Sequence, residues 1–266
     1  HRPLVDLRQI VVVAGGAAIG GTITNAGNTI AANAEADIQV EAPGMVGNIQ
    51  GNRIGTDDAG LANRGSTVGI RVIGASGGTI GNAGSSTLGG RNVVVASARG
   101  IELRQSSGVI VANNYVCRSA SGAAIGTCAV GIRLEGGGGD TIGGTYLSMG
   151  SRFSQGNVVA NCGIGLEVRG RLKWGVEANT FEDNGVGVLV DGSSDGVIGS
   201  EFDTALGASL GNTIRRNGGG SSSPRGGIVV LSGTGIALLR NSISDNAPVG
   251  IDLGGDGETV NDRHDA

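Results

Sequence analysis

Eight copies of one short phrase, Gly-Asn-x-aliphatic or a close variant, run along this chain, and a repeat of that kind excludes most globular folds. The asparagines of the phrase are Asn28, Asn52, Asn92, Asn114, Asn157, Asn179, Asn212 and Asn241. A second phrase, aliphatic-x-aliphatic and usually behind a glycine, interleaves with the first one for one. Its copies are Ile38-Gln39-Val40, Ile70-Arg71-Val72, Ile101-Glu102-Leu103, Ile132-Arg133-Leu134, Leu166-Glu167-Val168, Val188-Leu189-Val190, Ile228-Val229-Val230 and Ile251-Asp252-Leu253. A third, Ile-Gly followed by a small residue, begins at Ile19, Ile80, Ile142 and Ile198, with spacings of 61 (80 − 19), 62 (142 − 80) and 56 (198 − 142) residues. The repeating unit is therefore a pair of coils, one short and one carrying an excursion.

Alternation of inward and outward side chains over a few residues is the period of a β-strand. Glycines between the phrases supply the turns, and equivalent strands of successive coils are expected to stack in parallel, about 4.8 Å apart. Inward Ile, Val, Leu and Ala then form columns. Composition agrees with so thin a core: 54 glycines and only 2% aromatic residues exclude a core built on Phe, Tyr and Trp. Four prolines and the lack of a Gly-X-Y period exclude collagen. The spacing is too irregular for hexapeptide or nonapeptide left-handed helices, and neither a 3.6-residue periodicity nor a propeller blade signature is present. The sequence predicts an all-β chain, a right-handed parallel β-helix (solenoid) of about eight coils arranged as four two-coil repeats, in a single domain over residues 1–266.

The net charge of −4 and the scattering of 19 Lys and Arg among acids leave no electrostatic footprint for nucleic acid. No apolar run reaches the roughly 18 to 20 residues that span a bilayer. The chain starts at His1-Arg2-Pro3, without an initiator Met or a signal peptide, and stops at Asp265-Ala266 without a capping helix. A fragment of a longer protein is expected, with further domains of the same chain beyond it.

The phrases Gly51-Asn52-Arg53-Ile54-Gly55-Thr56-Asp57-Asp58-Ala59-Gly60, Thr141-Ile142-Gly143-Gly144-Thr145 and Gly250-Ile251-Asp252-Leu253-Gly254-Gly255-Asp256-Gly257 resemble the parallel β-helix repeat family of large secreted or surface-attached bacterial proteins, within the pectin-lyase-like superfamily. The resemblance spans nearly the whole chain. It implies the fold, and it implies a bacterial secreted or cell-surface location. For activity it implies a range, since that superfamily holds polysaccharide lyases, hydrolases, epimerases, adhesins and inert stalks.

The outward residues of the second phrase form two columns. One runs Gln39, Arg71, Glu102, Arg133, Glu167, Leu189, Val229, Asp252; the other runs Glu41, Ile73, Arg104, Glu135, Arg169, Asp191, Leu231, Gly254. Charge alternates along and across them, so that Glu102, Arg104, Arg133, Glu135, Glu167, Arg169 and Asp191 form a checkerboard and the candidate ligand face. As structure, alternating charge favours neighbours and pins register by ~0.2 to 1 kcal/mol per pair. As chemistry, Glu102 with Glu135, or Glu135 with Glu167, stand at a diagonal of about 8 Å, within the range of an inverting glycosidase. Flanking Arg opposes the protonated state that a general acid needs, which favours the ladder.

No catalytic set is assigned. The two histidines, His1 and His264, lie at the ends, and the acids do not converge as a Ca²⁺ site would require; no metal or cofactor is expected. Asp57-Asp58 and Asp191 with Asp195 read as turn residues. The eight phrase asparagines read as a structural ladder of stacked amides. A second polar row follows at Asn33, Asp57, Ser97, Ser119, Asn161, Asn184, Asn217 and Asn246, at the next bend. Cys117 and Cys128 bracket one excursion, which a disulfide would close in an oxidising compartment, with Cys162 left as a small buried residue; the alternative is that they stay reduced. Outward Leu189, Val229 and Leu231 mark an apolar spot open to a partner, and Trp174 and Tyr146 are the aromatics available to a sugar ring.

Two functions follow. The preferred one is a structural or adhesive module, a stiff scaffold displaying loops on a secreted or surface-attached bacterial protein, without enzymatic activity. The alternative is a polysaccharide-active enzyme, lyase or glycoside hydrolase, or a carbohydrate-binding domain using the checkerboard and the loops near Gly55, Gly143 and Ser200. In either case a polysaccharide or cell-surface ligand is the expected partner.

Overall fold

The computed structural model describes residues 9–23, 26–84, 89–148, 151–200, 210–219 and 225–257, without the side chains of 146–148 and 151–153. Among these residues there are no helices. The chain winds as a right-handed parallel solenoid whose coils each contribute a strand to three sheets. The first sheet has nine strands: Ile10–Val12, Ala36–Glu41, Val68–Ile73, Arg99–Arg104, Cys128–Glu135, Cys162–Arg169, Val186–Asp191, Gly226–Val230 and Ile251–Leu253. The second runs from Gly16–Gly20 to Gly233–Thr234 and Ala237–Leu239, and the third from Thr29–Ile30 to Ser242–Ser244.

The second phrase is the first sheet. Its register sets Ile38 beside Ile70, Ile70 beside Ile101, Ile101 beside Ile132, Ile132 beside Leu166 and Leu166 beside Val188. These residues are fully buried and share one aliphatic core with Ile49, Ile80 and Ile142 of the second sheet and Ile54, Val116 and Phe181 of the third. β-Branched side chains suit this arrangement, because each stacks on its equivalent one strand spacing away.

Glycine before the phrase has a packing reason. At Gly131 an added Cβ would lie 2.3 Å from Val159 Cγ1 and 2.6 Å from the Gly165 carbonyl oxygen. Gly69 and Gly100 meet the same obstruction from Val94 and Val116. The chain enters the first sheet there with its backbone against the core, so no side chain fits.

The two-coil unit is visible at the corner between the second and third sheets. Successive asparagines there are separated by 24, 40, 22, 43, 22, 33 and 29 residues. The 40-residue step from Asn52 to Asn92 holds the excursion 55–66, which leaves after Arg53–Ile54. The next coil, the 22-residue step from Asn92 to Asn114, carries no excursion. Coils one strand spacing apart leave no room for two loops side by side. Alternate coils do meet: the Ala120 N–H donates to the Gly60 carbonyl at 2.8 Å, so the loop after Val116 stacks on the loop after Ile54. A short antiparallel hairpin, Thr145–Ser148 with Ser151–Ser154, forms a further excursion.

Candidate functional site

The outer surface of the first sheet carries the checkerboard in register. Glu102 stands between Arg71 and Arg133, Glu135 between Arg104 and Arg169, and Glu167 between Arg133 and Leu189. Every acid is paired. Arg71 Nε lies 2.9 Å and Arg99 Nη1 3.3 Å from the Glu102 carboxylate. Glu135 Oε2 is approached by Arg104 at 3.3 Å and Arg133 at 3.2 Å. Glu167 takes Arg169 at 2.6 Å and Arg133 at 3.4 Å. Asp191 has Arg169 at 3.7 Å and accepts from the Ser232 hydroxyl at 3.0 Å. Glu102 and Glu167 are buried beneath their Arg partners, so these outward carboxylates do not present oxygen to solvent.

Chemically, this surface holds no carboxylate pair ready to share a proton. A general acid must give up a proton at a reacting atom, and a general base must have a lone pair aimed there. Both oxygens of Glu102 and of Glu167 are turned into guanidinium groups.

The candidate apolar spot is closed. Leu189 and Val229 are buried with Val186 in a small cluster that Ile164 and Leu231 complete. The turn after Ile251–Leu253 covers it: an added Cβ at Gly255 would fall 2.2 Å from Leu231 Cδ2. That turn is held by the Asp252 carboxylate, which accepts the Gly255 and Gly257 N–H groups at 3.0 and 3.1 Å. Trp174 is likewise unavailable to a sugar, since it lies in the main core over Gly196, where the missing side chain leaves room for the indole. The Tyr146 side chain and both histidines lie outside the described residues.

Asparagine amides form an unbroken chain along the second corner of the coil. Each Oδ1 from Asn52 to Asn241 accepts from the Nδ2 of the asparagine before it, at 2.8 to 3.1 Å. Each Nδ2 from Asn52 onward also donates to a second-sheet carbonyl, among them Ile80, Val111 and Ile142. The glycine beside this corner is required: Gly143 has φ +83°, and a Cβ would sit 1.9 Å from the Glu177 oxygen. In the second polar row, Asn184, Asn217 and Asn246 form a shorter chain of the same kind. Asp57 instead serves its own turn, accepting from Leu61 and Ala62, which holds its carboxyl below the usual range.

The cysteine pairing differs from the expectation. The disulfide joins Cys128 to Cys162, and the free, buried cysteine is Cys117. Nearness along the chain favours Cys117 with Cys128, but parallel stacking puts Cys128 and Cys162 in register at the mouths of adjacent first-sheet strands, with Cα atoms 4.5 Å apart. Burial pushes the Cys117 thiol up to about 11.

Two charged groups escape the sequence reading. On the third sheet Glu182 receives Arg118, Arg215 and Arg216, the last two at 2.8 Å, while Asp183 receives Arg216 at 2.8 Å. The Arg216 hydrogen bond and the nearby Arg charges hold the Asp183 carboxyl below its ordinary value. The signal is present as charges three and four residues after a ladder asparagine, but Arg118 and Glu182 are 64 residues apart. At the corner between the first and second sheets, Arg171 and Asp140 form a fully buried ion pair. Ser106 Oγ and the Val109 N–H complete the Asp140 shell at 2.7 Å each. Burial pushes the Arg171 guanidinium down to about 10. The only hint is one Arg in a column otherwise made of Ala75, Ser106, Gly137 and Ser193.

Residues 99–263, more than half of the chain, match the family described as right handed beta helix region. The chain belongs to this right-handed β-helix family. No curated protein matches it at a significant level. As in the geometry above, membership of the β-helix family defines a coil and leaves its surfaces free to vary. Among the described residues of this β-helix no helix is long and apolar enough to cross a membrane.

Proposed function

We propose that this chain is a structural or adhesive β-helix module, a stiff scaffold that displays its excursions, within a larger secreted or surface-attached bacterial protein. The observation that carries the reading is the pairing of every acid on the candidate ligand face with arginine. The pairs Arg71–Glu102, Arg104–Glu135, Arg133–Glu167 and Arg169–Asp191 and the asparagine chains link neighbouring coils, so many of the best-ordered polar groups stiffen the rod. The Cys128–Cys162 disulfide supports an oxidising compartment. The excursions that stack on one another, 55–66 and 117–127, support a display surface along one side.

The test is a glycan array run beside a polysaccharide-degradation screen, with the chain and its Glu135→Gln variant. A scaffold releases no sugar from any polysaccharide, and any glycan retention is the same for both proteins. Depolymerisation by the parent chain that Glu135→Gln abolishes, with the fold intact, overturns the reading and installs the polysaccharide-active alternative.

A further inference from the structure

Three sulfurs meet inside the core at the corner between the third and first sheets. Cys117 follows the strand Tyr115–Val116, while Cys128 and Cys162 open consecutive first-sheet strands. Their Sγ atoms all lie within 4.8 Å of one another, and all three residues are buried. The surroundings are apolar: the three belong to the same core cluster as Val116, Val159 and Ile132. The scaffold reading uses two of these sulfurs as a disulfide and gives the third no role.

We propose that the reduced chain holds a three-thiol site for a trivalent thiophilic metalloid, of which arsenite is the accessible example. Geometry is the first argument. Three thiolates around an ion at about 2.3 Å, a usual metal–thiolate length, stand about 3.5 to 4.0 Å apart; Cys117 Sγ lies within 4.8 Å of both sulfurs of the Cys128–Cys162 bond, so parting that pair on reduction brings the three to such a spacing with small side-chain shifts. Donor chemistry is the second, since three thiolates select a soft ion. Ligand number is the third: the described His, Cys, Asp and Glu add no fourth member to the group, so a closed tetrahedral zinc site is not formed.

Charge decides among the soft ions. Three thiolates around zinc or copper(I) leave net negative charge in an apolar core, which is costly. Around arsenic(III) they leave none. The burial of all three sulfurs in an apolar core therefore favours a neutral tris-thiolate over a charged one.

The steps balance without other groups. A phosphine reductant and water cleave the Cys128–Cys162 bond, giving two thiols and the phosphine oxide. Arsenous acid then exchanges three As–OH bonds for three As–S bonds; the three thiol protons leave with the hydroxides as three waters, and arsenic stays trivalent. Because the disulfide consumes two of the three donors, disulfide and metalloid exclude each other.

The experiment uses the full chain reduced with a water-soluble phosphine and titrated with arsenite, with zinc as competitor. The expected result is a native mass increased by one arsenic less three hydrogens, loss of all three alkylatable thiols, an unchanged far-ultraviolet β-sheet signal, and no displacement by zinc. After the phosphine is removed, the loaded chain fails to form the Cys128–Cys162 bond under an oxidant that closes it in the unloaded chain. Cys117→Ser keeps the disulfide pair and loses arsenic on gel filtration. The proposal is overturned by a reduced folded chain that holds no arsenic, by Cys117→Ser retaining a full equivalent, by displacement with zinc, or by loss of the sheet signal on reduction.

Discussion

At the corner between the second and third sheets, every coil from Asn28 to Asn241 contributes one amide to a single chain of hydrogen bonds. At the corner between the third and first sheets only Asn184, Asn217 and Asn246 do so. One coil earlier the Cys162 N–H donates to Asn184 Oδ1, so Cys162 occupies the next rung, and its disulfide to Cys128 extends the chain of links covalently. Beyond that, the excursions 55–66 and 117–127 interrupt equivalence altogether. A side-chain ladder persists only where adjacent coils bend alike, because each amide must find its partner one strand spacing away. Where loops leave, the bend differs from coil to coil, and other links are used.

That contrast is open to test. The largest effect is expected from Cys128→Ser with Cys162→Ser. The disulfide closes a 34-residue separation, and its loss is expected to cost about 4 kcal/mol by loop entropy, seen as a lower urea midpoint. Replacing Cys162 by Asn beside Cys128→Ser returns an amide to the vacant rung and is expected to recover about 1 kcal/mol. A variant no more stable than the double serine breaks the claim that the two devices occupy one position.

Next in size is Asn157→Ala, in the middle of the continuous ladder. It leaves the buried Asn114 N–H without its acceptor and takes one hydrogen bond each from the Asn114 amide, the Val111 carbonyl and Asn179 Oδ1, the last of which still accepts from the backbone N–H of residue 157. A loss of about 3 kcal/mol is expected, since buried polar groups are left without partners. Asn246→Ala, at the part-buried end of the short ladder, is expected to cost only about 1 kcal/mol. Equal effects at Asn157 and Asn246 in paired urea titrations deny that ladder length and burial matter.

The smallest effect concerns pH at the corner of the short ladder. The Asp183 carboxyl is held below its ordinary 3.8 in the folded chain, chiefly by Arg216. Its contribution is therefore present above that ordinary value and is lost as pH falls through the lower folded value. Asp183→Asn should melt slightly below the parent at neutral pH, and the gap should close in acid. A gap that widens in acid contradicts the sign.

Much of the coil was legible before any coordinates because a parallel solenoid writes its contacts at equivalent positions. The column Arg71, Glu102, Arg133, Glu167 can be read from the phrase alone, and the register sets those residues side by side. Other features lacked such a mark. Arg171 and Asp140 occur once each, so no column announces them, and their pairing reaches across coils, where the Arg171 guanidinium also donates to the Gly136 and Ser106 carbonyls. Arg118 reaches Glu182 over an intervening coil. The apolar spot at Leu189 and Val229 reads as open because the turn that covers it, Gly254 to Gly257, is a local fold of the chain rather than a repeat.

The sequence by itself determined the coil, the parallel register and the ladder of asparagines, since each is stated many times and every copy constrains the others. Tertiary structure alone decided which surfaces remain available and which cysteines join. Availability depends on what single turns and long side chains cover, and disulfide choice depends on which sulfurs meet. Stacking brings together residues a full coil apart, so Cys128 finds Cys162 while its nearer neighbour Cys117 stays a thiol beside them.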